Sequence, residues 1–255
     1  MSRVFITGST DGLGFAAARA LIEDGHEVVL HARSRERAVA LADLGKRALG
    51  IVLGDLSSSV DTHQVAEQVN AIGRMDAVVH NAGIYRAATR SSTAEGHSKT
   101  LAVNTLAPYM LTALIERPDR LIYISSGMHH RGRPMLPDID WVERRWDQTQ
   151  AYSESKLYVT AFALAVARLW LDVLSNAVDP GWVATKMGGP GATDDLDLGF
   201  LTQTWLAVSD DPTATVSGGY WYHRQLQSPA ADASDARFQD QLVTSLAKLT
   251  GISLF

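Results

Sequence analysis

The sequence predicts an α/β protein: one doubly wound, mostly parallel sheet of about seven strands, with helices on both faces in three layers. Three observations predict it. Short apolar runs, β-branched or leucine-rich and bounded by Gly, Asp or Asn, alternate with longer stretches of helical period. A glycine-rich turn joins the first run to the first helical stretch. The 255 residues hold no repeat, no low-complexity tract and no linker rich in Pro, Gly or Ser, so a single domain spanning 1–255 is expected.

The strands expected are Val4–Ile6, Val28–Leu30, Gly50–Leu53, Ala77–His80, Leu121–Ser125 and Val173–Val178, with Gly219–Tyr222 as a last edge strand. Their runs are apolar on consecutive residues, as in strands covered on both faces. Between them 13–24, 35–44, 58–72, 94–116 and 151–171 carry apolar residues three and four apart. Ala17 with Leu21 forms one such stripe, and Val65, Val69 and Ile72 another. Strand and helix in strict alternation imply right-handed crossovers and a parallel sheet. A helix near 194–208 and a closing helix over 233–250 complete the series. Two stretches break the rhythm: a polar insertion at 127–150 with two prolines and two tryptophans, and a glycine-rich loop at 187–195.

Composition narrows the function. Hydrophobic residues make up 46% and charged residues 20%, ordinary globular usage. Twenty-three basic against 28 acidic residues give −5, which argues against broad binding of nucleic acid or anionic membrane. The absence of cysteine excludes a disulfide scaffold, thiolate catalysis and cysteine-ligated zinc or iron–sulfur clusters. The start, MSRVFITGST, does not read as a signal peptide, and no run approaches the roughly 20 apolar residues of a membrane span. A cytoplasmic protein is expected. None of the eight histidines falls in a His-Glu-x-x-His pattern, so no metal site is expected, and no Gly-x-Ser-x-Gly elbow supports a hydrolase.

The first turn reads Thr7-Gly8-Ser9-Thr10-Asp11-Gly12-Leu13-Gly14. Glycines feeding a helix N-terminus let backbone N–H groups approach a pyrophosphate, aided by the positive end of the helix dipole. The plain alternative is a strand–helix turn with no ligand. The position, opening the first βα unit of a parallel sheet, favours a Rossmann-type dinucleotide site made by Gly8, Ser9, Thr10, Gly12, Leu13 and Gly14.

With its leading Thr and Gly-x-x-x-Gly-x-Gly spacing, this turn resembles that of the short-chain dehydrogenase/reductase family, in its single-domain branch. Further parts of that pattern follow in order: Asp55, Asn81-Ala82-Gly83, Asn104, Ser125-Ser126, Tyr152-Ser-Glu-Ser-Lys156, and Pro180-Gly181 with Thr185. The resemblance covers nearly the whole chain. It implies an NAD(P)-dependent oxidoreductase that interconverts a carbonyl and an alcohol on a small, apolar substrate. Asp55 and Leu56 would meet the adenine, and Asn81, Ala82 and Gly83 the adenosine side. Pro180, Gly181, Val183 and Thr185 would meet the nicotinamide.

At the end of the second strand, where an NAD site carries an acid, the sequence reads Ala32-Arg33, which points to NADP(H) with NAD(H) as the alternative. Tyr152 would be the acid/base and Lys156 its neighbour one turn on. Ser126 would hold the substrate oxygen, and Asn104 a water relay. A tyrosine of pKa near 10 lies about three units, or about 4 kcal/mol, from ionising at neutral pH. An ammonium near 4 Å supplies about as much at an effective dielectric of 20, before its own desolvation. Taken singly, the plain alternatives are a packed aromatic, a solvated lysine, a strand-end turn and a helix polar group.

Two departures stand out. Ser126 and Tyr152 are 26 apart, about twice the spacing common in the family, with the 127–150 insertion between them; Met128-His129-His130 and Gly219-Tyr220-Trp221 also resemble retinol-dehydrogenase-like and protochlorophyllide-reductase-like members. Asp179 precedes Pro180 where many relatives carry His or Asn. Residues 187–195 resemble a substrate lid. Trp182, Met187 and the Trp141/Trp146 pair are candidates for the pocket wall or, equally, for core packing. The helices at 94–116 and 151–171 resemble the family's dimer-forming pair, so a homodimer or homotetramer is expected. A dinucleotide-responsive regulatory protein without turnover is the rival of another class.

Overall fold

The chain opens on β1 (Arg3–Ile6), passes through the glycine turn into α1 (Gly12–Glu23) and returns as β2 (Glu27–Ala32). Two short helices, α2 (Arg35–Ala38) and α3 (Ala42–Gly45), lead to β3 (Gly50–Leu53), α4 (Ser59–Ile72) and β4 (Ala77–His80). Next come α5 (Lys99–Leu101), a wider π turn at Ala102–Leu106, α6 (Ala107–Leu114) and β5 (Arg120–Ile124). Then follow α7 (Gln148–Leu169), β6 (Leu174–Asp179), α8 (Leu196–Val208), β7 (Tyr220–Tyr222), β8 (Gln225–Gln227), α9 (Ala231–Ser234) and α10 (Ala236–Thr250). This computed structural model describes residues 1–85 and 88–254.

The strands form one sheet in the order β3-β2-β1-β4-β5-β6-β7-β8, parallel throughout except for β8. Alternate strand residues feed two cores. Phe5, Val29, Val78, Leu121 and Tyr123 point to the side of α4, α6 and α7. Val4, Ile6, Val28, Leu30, Val79 and Ile122 point to the side of α1 and α8. The three-layer doubly wound arrangement is the expected one.

Four details differ from the expected elements. The sheet has eight strands, because β7 is followed by a hairpin whose turn places His223 and Arg224 at φ 48° and 61°. Left-handed residues at both turn positions match the strand twist but normally announce themselves as Asn-Gly. The stretch 35–44 breaks into short pieces, since only Leu41 and Leu44 on it are buried. The helix expected from 94 starts at Lys99, capped by the Ser98 hydroxyl, and widens before Pro108, which has no N–H for the Asn104 carbonyl. The closing helix is split at Asp235, whose side chain caps α10.

Helix α7 is buried at every residue from Ala151 to Val166. Part of its cover is the chain's own end: Phe238 packs 6.3 Å from the Tyr158 ring, and Arg168 Nε donates to Gln239 Oε1 at 3.2 Å. Tyr109 on α6 likewise donates its hydroxyl to the Ile252 carbonyl at 2.8 Å. The helix pair expected to face a second copy is thus covered, at these residues, by the C-terminal segment. The insertion is pinned to the same helix. Arg144 bonds Asp138 at 2.9 Å and clasps both oxygens of Glu154 at 2.9 and 3.0 Å, while the Trp141 indole N–H donates to Glu154 at 3.0 Å.

Candidate active site

The strand order reverses direction between β1 and β4, and the loops leaving the carboxyl ends of the strands part there. A cavity of about 1280 Å³ opens at that crevice, where ligands of open α/β sheets bind. Its floor is the glycine turn. Gly8 sits at φ 69°, and a Cβ there would stand 3.0 Å from the Ala82 Cα. A Cβ on Gly14 would fall 2.5 Å from the Gly8 carbonyl oxygen and closer still to the Asn81 amide. Only glycine lets the turn, the helix and the Asn81–Gly83 segment meet this closely. Thr7 ties them from the other side, its hydroxyl accepting the Asn81 and Ala82 N–H groups, both at 2.9 Å. Asp11 occupies the N-cap of α1 without capping it; its carboxylate instead meets Arg37 at 2.9 Å and Lys186 at 2.8 Å. The first turn of α1 therefore faces the cavity with N–H groups that no side chain caps, a setting suited to a pyrophosphate.

Of the expected cofactor residues, Gly8, Thr10, Gly12, Leu13, Gly14, Arg33, Asp55, Leu56, Asn81, Ala82, Gly83, Pro180, Gly181, Val183 and Thr185 all lie on the cavity wall. Ser9 does not. It is fully buried, and its hydroxyl donates to the Ile6 carbonyl at 2.5 Å and accepts the His31 N–H at 3.2 Å, so it braces the turn from beneath. Asp55 accepts the Ser57 N–H at 2.9 Å, and the cap of α4 is Ser58.

His31, which the sequence did not single out, is the other brace. The Gly8 N–H donates to its Nδ1 at 2.9 Å, and its Nε2 lies 2.9 Å from the Gly54 carbonyl oxygen. These partners fix a neutral ring with the proton on Nε2, and burial holds its pKa below the ordinary histidine value. The signal was available: a histidine inside an apolar strand run needs two partners.

At the other end of the crevice β5 and α7 bring the reacting candidates together. Ser126, Tyr152 and Lys156 all line the cavity. The Ser126 side chain acts on the Tyr152 phenol, opposing the rise in its pKa, whereas the Ser125 hydroxyl is turned to Thr160 at 2.6 Å. The Lys156 ammonium donates to the Ile124 carbonyl at 2.8 Å and stands 5.6 Å from the centre of the Tyr152 ring. Burial pushes the phenol up to about 12, with the Ser126 bond opposing it, and burial brings the lysine down to about 8, with Asp179 opposing. In a dry site the cost of burying each charge exceeds their interaction at this distance.

Asn104 is not on the wall. It sits in the π turn, its Oδ1 accepting the Ile84 N–H at 2.8 Å and its Nδ2 donating to Ile84 O and Ser155 Oγ, both at 2.9 Å. Its Oδ1 and the Lys156 Nζ nevertheless flank Gly83, each 3.5 Å from the point a Cβ would occupy.

The walls divide the aromatic candidates. Trp182 and Met187 line the cavity; Trp182 is 55% exposed, and its indole N–H donates to the Gly188 carbonyl at 3.0 Å. Trp141 and Trp146 do not line it, because Trp141 is drawn to Glu154 and Arg144. Tyr85, Met128, Arg131, Asp179 and Tyr222 were not expected on the wall and are there. Behind Ser126 stands a further support: the His129 ring donates through Nδ1 to the Ser126 carbonyl at 2.8 Å and packs 4.6 Å from Tyr220, whose hydroxyl donates to Asp179 at 3.1 Å.

A crevice that cradles a dinucleotide and ends on a buried, proton-bearing phenol defines an NAD(P)-dependent oxidoreductase of alcohol and carbonyl groups. Comparison with known proteins gives the same class. The family described as Enoyl-(Acyl carrier protein) reductase matches residues 8–205. The short-chain dehydrogenase chyC of Penicillium rubens is 40% identical over 257 residues, covering all of this chain and 99% of its own. Human retinol dehydrogenase 13 is 27% identical, over 98% of this chain and 84% of its own. A solved but uncharacterized protein of Mycobacterium Paratuberculosis superposes with TM-score 0.85 at 26% identity, covering 100% of this chain and 95% of that one. The chain belongs to the short-chain dehydrogenase/reductase family.

Proposed function

We propose that the protein is an NADP(H)-dependent reductase or dehydrogenase of a small, largely apolar ketone or alcohol, with Tyr152 as the proton-transfer group. The observation that carries the reading is the convergence of Tyr152, Ser126 and Lys156 on the wall of the dinucleotide crevice. When bound, the nicotinamide supplies or accepts the hydride. Tyr152, neutral at pH 7 as any tyrosine is and held more firmly so by burial, keeps a proton ready for the oxygen of a reduced carbonyl. Ser126 donates to the same oxygen and steadies its charge before the proton arrives. Lys156 keeps a positive charge beside the site and holds β5 to α7 through Ile124. Asn104 fixes Ile84 and Ser155, and thereby the floor beneath Lys156.

The phosphorylated cofactor is favoured by Arg33. It lies on the cavity wall just past the end of β2, follows Ala32 where an acid would accept a ribose hydroxyl, and makes no hydrogen bond or ion pair with another described residue. Arg37, by contrast, is held by Asp11. Replacing Arg33 by Ala should raise the KM for NADPH about tenfold, the worth of one charge-assisted contact, and leave that for NADH nearly unchanged. Initial rates with each cofactor decide it, and an unaltered KM for NADPH would remove the argument.

The pH dependence follows from the two buried groups. The phenol keeps its proton up to about 12, so it does not limit reduction near neutrality. Lysine is charged below its pKa, here about 8, and loses that charge above it. Ketone reduction should therefore hold steady up to about pH 8 and then fall about tenfold per unit, while alcohol oxidation rises with pH as the phenol gives up its proton more readily. In Lys156→Met the fall above pH 8 should vanish along with most of the rate; a persistent fall would assign it to another group.

A further inference from the structure

The cations on the cavity wall stand in different settings. Lys156 belongs to the reacting group, Arg37 is held by Asp11, Arg33 follows β2, and Lys99 opens α5. Arg131 is the one on the segment that carries Ser126. It ends the 3₁₀ turn Gly127–Arg131, three residues from Met128, and has no acid partner among the described residues. Its carbonyl accepts Gln150 Nε2 at 3.0 Å. The adjoining Gly132 lies against Ser153 and Leu157, where a Cβ would be 2.7 Å from each. The Arg131 backbone is thus fixed beside the first turns of α7, the end of the crevice that holds Tyr152. Arg144, on the same insertion, is committed to Asp138 and Glu154 instead.

The uncharged lining includes several rings and thioethers. The Tyr85 ring packs 4.7 Å from that of Tyr152, and Met128, Trp182 and Met187 are on the wall. Two acids lie on the wall, one at the end of β6 and one beyond it, and both are already engaged. Asp179 accepts the Gly181 N–H at 3.0 Å and the Tyr220 hydroxyl at 3.1 Å; Asp194 accepts the Trp182 N–H at 2.7 Å and the Thr193 hydroxyl at 3.2 Å. A planar ring suits the aromatic and sulfur lining. A carboxylate suits a guanidinium that presents a fork of donors with no protein acid to fill it.

We infer that the substrate is an aryl ketone, or the matching alcohol, that carries a carboxylate, and that Arg131 receives the carboxylate while the ring lies against Tyr85 and Met128. This rests on the carbonyl/alcohol reading and adds to it a charged end. Arg131 is a specificity residue that touches substrate away from the reacting atoms.

The test compares 3- and 4-acetylbenzoate with the corresponding acetylbenzamides, which keep shape and lose charge. With NADPH, the acid-to-amide ratio of kcat/KM should be about tenfold or more, through KM. That ratio should fall to about one in Arg131→Gln, remain partly raised in Arg131→Lys, and drop below one in Arg131→Glu. Because each ratio is taken within one variant, loss of folded protein cancels. A ratio near one in the native protein, or one unmoved by Arg131→Gln, overturns the inference while leaving the oxidoreductase reading intact. Should no ketone consume NADPH, that reading fails instead. The dissociation constants of the same four compounds, measured on NADPH-loaded protein, then decide the inference by the same ratio.

Discussion

Tyr152→Phe should lower turnover about a thousandfold while the protein still binds NADPH with an affinity within about threefold of the native one. The substitution removes one oxygen from a ring that packs 4.7 Å from Tyr85 and leaves that contact in place. What goes is the proposed proton donor, and a positioned general acid accounts for roughly 10²- to 10⁴-fold of rate. Ser126 remains to steady the developing charge, so a residual rate is expected rather than none. Turnover is followed by the loss of NADPH absorbance, and binding by quenching of tryptophan fluorescence. A variant that turns over near the native rate would move proton transfer to another group, and one that no longer binds NADPH would make Tyr152 chiefly a cofactor contact.

Removing the cation of the insertion's ion cluster should cost more stability than any surface change. Glu154 is 1% exposed on α7, and Arg144 supplies its charge partner through two bonds, at 2.9 and 3.0 Å. Arg144→Met leaves a buried carboxylate that only the Trp141 indole and Gln150 still approach. Breaking a buried pair from one side costs about 3–5 kcal/mol. At about 2–4 °C per kcal/mol for a chain of this size, Tm should fall by about 10 °C. The double variant Arg144→Met, Glu154→Leu removes both charges and should recover most of the loss. Thermal unfolding of the three proteins checks it; a single variant as stable as the native chain would mean that Glu154 takes up a proton or finds water at little cost.

The strands were legible because parallel strands covered on both faces must be apolar on consecutive residues, as Val28–Leu30 and Ala77–His80 are. β8 was not, because its turn is made by His223 and Arg224, which carry no recognisable preference for positive φ. The widened turn at Asn104 was hidden likewise, since a single proline at 108 predicts a break as readily as a widening. In the site, motif spacing located Ser126, Tyr152 and Lys156 and nearly all of the glycine cradle. Ser9 and His31 show the limit of that method. One adjoins a ligand loop yet faces inward, and the other matches no motif yet holds the loop's first glycine.

The bond from Lys156 to the Ile124 carbonyl joins the last residue of a central strand to the helix that carries the phenol. The proposed reacting groups are therefore held together chiefly by a strand lying on a helix, and of the residues strung between them those next to Ser126, His129 above all, serve as its brace. Chemistry and choice of substrate are separable in this architecture. The outer portion of that long excursion is free to diverge, one descendant from another, toward differently shaped molecules while the reacting machinery stays in register.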